Sequence, residues 1–427
     1  MRKSLKFSQC GENQSGASAE VPKSKASPSL KIFYGLTHPV QYQSPLIRHL
    51  VAGGMDIEVV YSRGEEKYFD REFGCEIAWD LPLMEGYPSR VLPEAPQTLS
   101  GSELQKFYLE HLLQAFASER PAAAWLHGWS HPFERAFWEA ARRMAVPLMI
   151  RGDTNLERVK GGLLRRLCHR MYYTWRFRQV EAFLAVGSLN RTLYRSYGVS
   201  AEKIFSTPYA VDNAFFQRRI RDAREDREIL RTSLGLPPGS PVILFCGKLI
   251  PLKNLPTVIH ALGRLSRDGG LHSDAPPPSL LVVGNGAERS AWEGLAVREI
   301  PGCAKFIGFR NQTELPALYG LCDLFVLPST EESFGLAVNE AMNAGVPVIV
   351  SDKVGCWPDL VKTGVNGAVF ESRDVAALAD ALKPFVRNHK LRSEAGAASL
   401  EIINRWSFNE DLQGLTQALD FVGRMRV

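Results

Sequence analysis

From Lys31 onward, short apolar runs alternate with longer stretches whose apolar positions recur at helical spacing. "KIFYGL" (31–36) reads as a strand, the stretch from Pro45 to Val51 as a helix, and "DIEVVYS" (56–62) as a second strand. An irregular, aromatic-rich stretch (63–100) follows. Then come "AAWLH" (123–127), a helix from Phe133 to Met144, and "PLMIR" (147–151). "AFLAVG" (182–187), the helix "SLNRTLYRSYG" and "KIFSTP" complete the first half. Strands alternating with helices of about 10–15 residues build βαβ units on a parallel sheet.

The pattern breaks over 213–240 into a charged, helix-like stretch and the Pro/Gly-rich "LGLPPGSP", and then restarts. The new strands are "VILFCG" (242–247), "LLVVG" (280–284), "AKFIG" (304–308), "DLFVLPS" (323–329), "PVIVS" (347–351) and "GAVF" (367–370), with "HSDAPPPS" as a surface loop. The fold class is therefore α/β, with two doubly wound, Rossmann-like parallel-sheet domains facing across a cleft. Residues 1–30 read as a disordered extension, 31–215 as the first domain and 216–240 as a linker. Residues 241–405 read as the second domain and 406–427 as a final helix returning to the first. In such sheets ligands sit beyond the carboxyl ends of the strands, so the informative residues lie just after each one.

Composition narrows this little. The 427 residues are 45% hydrophobic and 23% charged, an ordinary globular balance. A net charge of +5 is mild at this length and argues against a dedicated nucleic-acid binder. Seven cysteines show neither a CxxC pair nor a Cys/His cluster, which reads as reduced thiols in a cytoplasmic protein. No apolar run approaches the roughly 20 residues that span a bilayer. The polar, basic N-terminus lacks the apolar core of a secretory signal. The expected location is cytoplasmic, at most lying on a membrane surface.

Three post-strand segments carry candidate chemistry. "FCGKLIPLKN" places Lys248 and Lys253 at a strand end before a helix, a setting for a diphosphate; two solvated surface lysines are the alternative. "VVGNGAERSAW" has a glycine pair, Gly284 and Gly286, that lets backbone approach a ligand. It lacks the third glycine and the later acid of a dinucleotide fingerprint. "EESFGLAVNEAMNAGVP" (331–347) turns at Gly335 and puts Glu340 on a face otherwise made of Leu336, Ala337, Val338 and Met342. A carboxylate there is costly without a partner. With Glu332 in the loop and the helix running from Phe334, the two acids stand on the order of 10 Å apart, suited to two ends of one extended ligand. A dipole-favoured acid plus an exposed Glu accounts for Glu332 better than for Glu340.

Taken together, "GKLIPLKN", "LLVVGNG" and the run from "FIGFRNQTELPALYGLCDLFVLPSTEESFGLAVNEAMNAGVP" to "GAVF" resemble the retaining GT-B glycosyltransferases of family 4, glycosyl transferases group 1. The E-x7-E spacing of Glu332 and Glu340, with "FG" after the first acid, is the most specific feature. "LAVGSLNRTLYRSYGVSAEKIFSTPYAVDNAFF" (184–216) is similar to the end of that family's first domain. The resemblance implies a nucleotide-sugar donor lying along the helix. Glu340 would hold the ribose hydroxyls and Glu332 the sugar hydroxyls near the reacting carbon. Lys248 and Lys253 would neutralise the diphosphate, with the loop at Gly284 beside it. The backbone from Phe334 and Gly335 through Leu336 to Ala337 would cap it, and backbone near Ile307 would pair with the base. Where the family usually has arginine, this chain has Lys248, which keeps the charge but loses the two-pronged grip.

The first half departs further. "GLTHPVQYQSPLIRHL" stands where many relatives have a glycine-rich loop, so His38, Gln41 and Gln43 are candidates for donor-sugar or acceptor contact, with helix capping as the alternative. His127 matches in position a family histidine near the transferred sugar; a packed core histidine is the alternative. Asp153 is a candidate on the acceptor side. The catalytic set implied is Glu332, His127 and Lys253. Neither a metal nor a further cofactor is expected, and no carboxylate pair flanks the bond as in glycosidases.

The aromatic-rich "FGCEIAWDLPLMEGYPSR" (73–90) is a candidate lining of the acceptor cleft. "RVKGGLLRRLCHRMYYTWRFR" (158–178) holds seven Lys/Arg and no acid, with Leu163, Leu167, Met171 and Trp175 four apart. It reads as a peripheral contact with anionic membrane, suited to a lipid-linked acceptor, or as an ordinary helix with a solvated basic face. The expected activity is transfer of a sugar from a nucleotide-diphosphate sugar to a glycan or lipid-linked glycan in bacterial surface polysaccharide assembly. A non-catalytic donor- or glycan-binding subunit, an epimerase and a sugar-phosphate synthase are the rivals, which fold alone does not separate.

Overall fold

The computed structural model describes residues 30–64, 68–70, 74–159, 161–267 and 276–425. The extension read over 1–30 lies, except for Leu30, outside these residues, as does the first half of "HSDAPPPS". The first domain is built on β1 (Ile32–Leu36), β2 (Ile57–Tyr61), β5 (Ser89–Val91), β6 (Ala123–His127), β7 (Leu148–Gly152), β8 (Ala182–Ala185) and β9 (Ile204–Ser206). They run in the order β5-β2-β1-β6-β7-β8-β9, with every pairing parallel. A separate antiparallel hairpin, β3 (Tyr68–Asp70) and β4 (Cys75–Ile77), lies within the stretch read as irregular.

The second sheet contains β10 (Val242–Cys246), β11 (Ser279–Val283), β12 (Ala304–Gly308), β13 (Leu324–Leu327), β14 (Val348–Ser351) and β15 (Gly367–Phe370). Its order is β12-β11-β10-β13-β14-β15, again parallel throughout. Helices cover both faces of each sheet, so β1, β2, β7, β8, β11, β13 and β14 are buried along their whole length. That is why they read as continuous apolar runs instead of alternating ones.

Two features depart from the periodicity. Helix Gly101–Glu119 buries Tyr108, Leu112, Ala115 and Phe116. Leu104, Phe107, Leu109 and Leu113 are half-buried around its other sides and blur the stripe. The segment read as a linker carries two helices, Asn213–Asp222 and Arg227–Ser233. Arg227 donates to the Leu321 carbonyl at 3.1 Å, which docks the segment on the second domain.

The last helix, Phe408–Arg424, opens with a capping box of Ser407 and Glu410 and returns to the first sheet. Phe421 meets Phe205 of β9 at 5.6 Å between ring centres. Arg151 of β7 reaches Asp411 at 2.8 Å, and both side chains are buried. This helix ties the chain's end to the domain at its start. The architecture is the two-domain GT-B arrangement.

Candidate active site at the interdomain cleft

The second sheet delivers its polar residues to one edge. After β10 the chain passes Lys248 and enters a short 3-10 turn, Pro251–Lys253. The Lys253 ammonium bonds to the Glu332 carboxylate, which the Ser329 hydroxyl also approaches at 3.4 Å. Glu332 is fixed by its backbone as well. Its amide donates to the Lys353 carbonyl and its carbonyl accepts from the Gly355 amide, each at 3.1 Å. With its backbone pinned on both sides and its carboxylate held by Lys253 and Ser329, the residue is preorganised.

Gly335 precedes helix Leu336–Met342, which starts two residues later than the sequence reading placed it. Its φ is +101°, and a Cβ there would come within 2.8 Å of Val354, so only glycine fits comfortably. Phe334 is buried, stacked on Trp406 at 6.2 Å, and is a wall more than a contact surface. Leu336 and Ala337 are half-buried at the helix start. Glu340 is half-buried and accepts from the Tyr319 hydroxyl at 2.7 Å. Burial pushes its carboxyl up to about 7, against the pull of Tyr319 and Gln312. Tyr319 is the partner the sequence left unnamed.

Gly284, with φ +134°, ends β11 against the β10 loop, where a Cβ would lie 1.9 Å from the Gly247 carbonyl oxygen. The two loops thus pack backbone to backbone. Ile307 sits in half-buried β12 at the same edge. Lys248 pairs with Asp70 of the first domain at 3.1 Å.

Across the cleft, His127 closes β6 between two phenols, Tyr34 to Nδ1 and Tyr209 to Nε2, each at 3.5 Å. Burial, helped by Arg151, lowers it to about 3, so the imidazole is neutral. Asp153 follows β7. Burial raises its carboxyl and the charge of Glu332 adds to this, while Arg158 and the Ser333 hydroxyl oppose it. Asn155 donates to the Ser333 carbonyl at 3.5 Å, and Arg158 meets Glu331 at 3.3 Å. Asp153, Asn155 and Arg158 therefore converge on the Glu332 loop. Asn155 and Arg158, with Glu157, Thr330, Glu331, Glu332 and Lys353, line a cavity of about 370 Å³ between the domains.

The loop after β1 divides. His38 bonds through Nδ1 to the Thr37 hydroxyl at 2.9 Å and is lowered to about 4 by burial, Arg63 and His131. Gln41 is half-buried in the turn before the first helix. Gln43 is the first residue of that helix and is buried, accepting from the Tyr34 hydroxyl at 3.0 Å, so it braces the cleft floor from behind. Within the stretch read as acceptor lining, residues 78–80 meet the second domain. Asn311 donates to the Ala78 carbonyl at 2.6 Å, the Thr313 amide to Asp80 at 3.1 Å, and Trp79 meets Phe309. Its middle clasps the second domain beyond β12, because the β3–β4 hairpin projects over that edge.

Residues 226–401 match the family described as glycosyl transferases group 1. A D-inositol 3-phosphate glycosyltransferase of Xylanimonas cellulosilytica is 30% identical over 227 residues, a match spanning only about half (51%) of each chain. The Stackebrandtia nassauensis protein of the same name is 28% identical over 84% of this chain and 85% of its own. Among solved structures, a glycosyltransferase from Rickettsia africae superposes with a TM-score of 0.71 at 14% identity, over 93% of this chain and 99% of its own. The Anabaena protein HepE, solved with UDP and glucose, gives 0.66 at 17%, over 92% and 99%. Residues 226–401 thus carry the match to glycosyl transferases group 1, in a chain with the GT-B fold.

Proposed function

We propose that the chain transfers a sugar, with retention at the anomeric carbon, from a nucleotide-diphosphate sugar to a hydroxyl of a glycan or lipid-linked glycan. The observation that carries the reading is the Lys253–Glu332 pair at the cleft, with Glu340 in the helix that follows Glu332, held by Tyr319 from a neighbouring helix. HepE was solved with UDP, which makes UDP the first nucleotide to try here. Glu340 accepts the ribose hydroxyls, Lys248 and Lys253 face the diphosphate, and Glu332 orients the sugar. The bond from the anomeric carbon to the phosphate oxygen breaks as the bond to the acceptor oxygen forms on the same face. The acceptor's proton passes to the departing phosphate oxygen. Neutral His127 takes no proton in this scheme and hydrogen-bonds the sugar. The two lysines supply the positive charge, so the scheme calls on neither a metal nor another cofactor.

The setting proposed is surface polysaccharide assembly at the cytoplasmic face of a bacterial membrane, touched by the basic segment 158–178. No helix among the described residues is long and apolar enough to cross a membrane. The names of the curated relatives make a phosphorylated polyol the competing acceptor.

A panel of UDP-, GDP-, ADP- and TDP-sugars, read by thermal shift and donor hydrolysis, tests the donor. One nucleotide sugar should stabilise the protein and lose its effect in Glu340→Ala; no response to any rejects the reading. NMR of the first-formed product decides the stereochemistry, since an inverted anomeric centre excludes retention.

A further inference from the structure

Two buried polar residues stand behind His127: Tyr34 of β1 and Gln43, the first residue of helix Gln43–Ala52. The Tyr34 ring stacks on Trp125, 3.7 Å between ring centres and 8° from parallel, which fixes where its hydroxyl points. That hydroxyl donates to Gln43 Oε1 at 3.0 Å and also lies 3.5 Å from His127 Nδ1. A phenol has one proton to give. With it given to Gln43, the Tyr34 oxygen meets the imidazole only as an acceptor. Burial and the charge of Arg151 keep His127 neutral. A neutral imidazole carries one ring proton, so one nitrogen donates and the other accepts.

We infer that Gln43 and Tyr34 are positioning residues that hold His127 as its Nδ1–H tautomer, leaving Nε2 as an acceptor for a hydroxyl of the donor sugar. Nδ1–H donates to the Tyr34 oxygen, and the Tyr34 hydroxyl donates to Gln43. On the far side Nε2 meets the Tyr209 hydroxyl at 3.5 Å, with the two rings 14° from parallel. That contact is at the long limit of hydrogen bonding, so a sugar hydroxyl seated closer displaces it at little cost. Tyr209 is itself anchored. Its carbonyl accepts from Asn339 Nδ2 at 2.9 Å and from Trp406 Nε1 at 3.1 Å, and Asn339 precedes Glu340 in helix Leu336–Met342. The imidazole is therefore held from the first sheet on one side and from the donor-side helix on the other. An accepting Nε2 favours a sugar position that bears O–H and gains nothing from a deoxy or ether position. The inference rests on the donor reading above and deepens it, by stating how the sugar is read.

The test uses the full chain with ¹⁵N-labelled histidine at pH 7, as wild type, Gln43→Met and Tyr34→Phe. Long-range ¹H–¹⁵N spectra show which ring nitrogen carries the proton, and His127→Asn identifies the His127 signals among those of nine histidines. Wild type should show Nδ1 protonated and Nε2 bare. Gln43→Met frees the Tyr34 proton to turn toward Nδ1 and should move the ring proton to Nε2, while Tyr34→Phe should leave a mixture of tautomers. A protonated Nε2 in the wild type, as an inverted Gln43 amide would give, overturns the inference whether or not the variants fold. So does an unchanged tautomer in Gln43→Met. UDP-glucose and UDP are titrated in parallel. Gln43→Met should bind UDP-glucose about tenfold more weakly and UDP, which lacks the sugar, equally well. Equal UDP-glucose affinity in the two proteins overturns the sugar contact. A wild type that binds no UDP counts against the donor reading instead, and the tautomer of the free protein still decides this one.

Discussion

The ammonium of Lys248, at the edge of the second sheet, lies 3.1 Å from the carboxylate of Asp70, which the first domain's hairpin carries across the cleft. Both side chains are partly shielded. A carboxylate thus sits on one of the two cations proposed to meet the donor diphosphate, so under that proposal donor and Asp70 would compete for it. Asp70→Asn should tighten UDP binding by about 0.5–1 kcal/mol at low salt, the range of a partly exposed pair, with a smaller gain at high salt. Calorimetric titration at two ionic strengths checks this. Weaker binding in the variant would make Asp70 a helper.

If Glu340 holds the donor ribose as proposed, donor binding should depend on pH. Its ordinary value of 4.5 is raised to about 7, chiefly by burial. The folded protein therefore binds more protons than the unfolded chain between these values. This group's contribution to stability is full below pH 4.5 and is lost as pH rises through about 7. Only the ionised carboxylate accepts both ribose hydroxyls well, so UDP affinity should rise with pH across the same window. Glu340→Gln should flatten both profiles, in thermal melts and in UDP titrations from pH 5 to 8. An unchanged affinity profile in the variant would remove Glu340 from the donor site.

Lys253 and Glu332 should act as a unit. Lys253→Ala and Glu332→Gln should each lower kcat by about 10²–10³, the range seen when a preorganised charge partner is removed. The double variant should fall well short of the product of the two, because each change already breaks the shared bond. Single-turnover rates for the three variants measure the coupling, and full additivity would show that the pair does not work together.

Arg151 and Asp411 bind the last helix to the first sheet. The Arg151 Nη2 group also donates to the carbonyls of Thr207 and Pro208, at 3.1 and 2.8 Å. Burial pushes the Asp411 carboxyl up against the pull of Arg151. Asp411→Ala leaves a buried guanidinium without its counter-charge and should cost about 3–5 kcal/mol in urea unfolding. Replacing both, as Arg151→Met with Asp411→Leu, should restore much of that. A double variant no better than the single would place the cost in helix packing.

Much of this protein is legible along the chain. The β–α alternation, the break over 213–240, the Glu332–Glu340 spacing and the lysines after β10 depend on local periodicity and on which residues end a strand, and these survive into the fold. The partners do not follow from spacing. Tyr319 reaches Glu340 from another helix, Asp70 reaches Lys248 from the other domain, and Asp411 reaches Arg151 from the far end of the chain. Each contact depends on how elements dock, for which a single sequence carries no period. The row at Leu163, Leu167, Met171 and Trp175 shows the same division. Its apolar spacing was fixed by the sequence alone, but only the packed structure turned Arg165, His169 and Tyr173 to a cavity and left the leucines exposed, because burial depends on what the neighbouring elements cover.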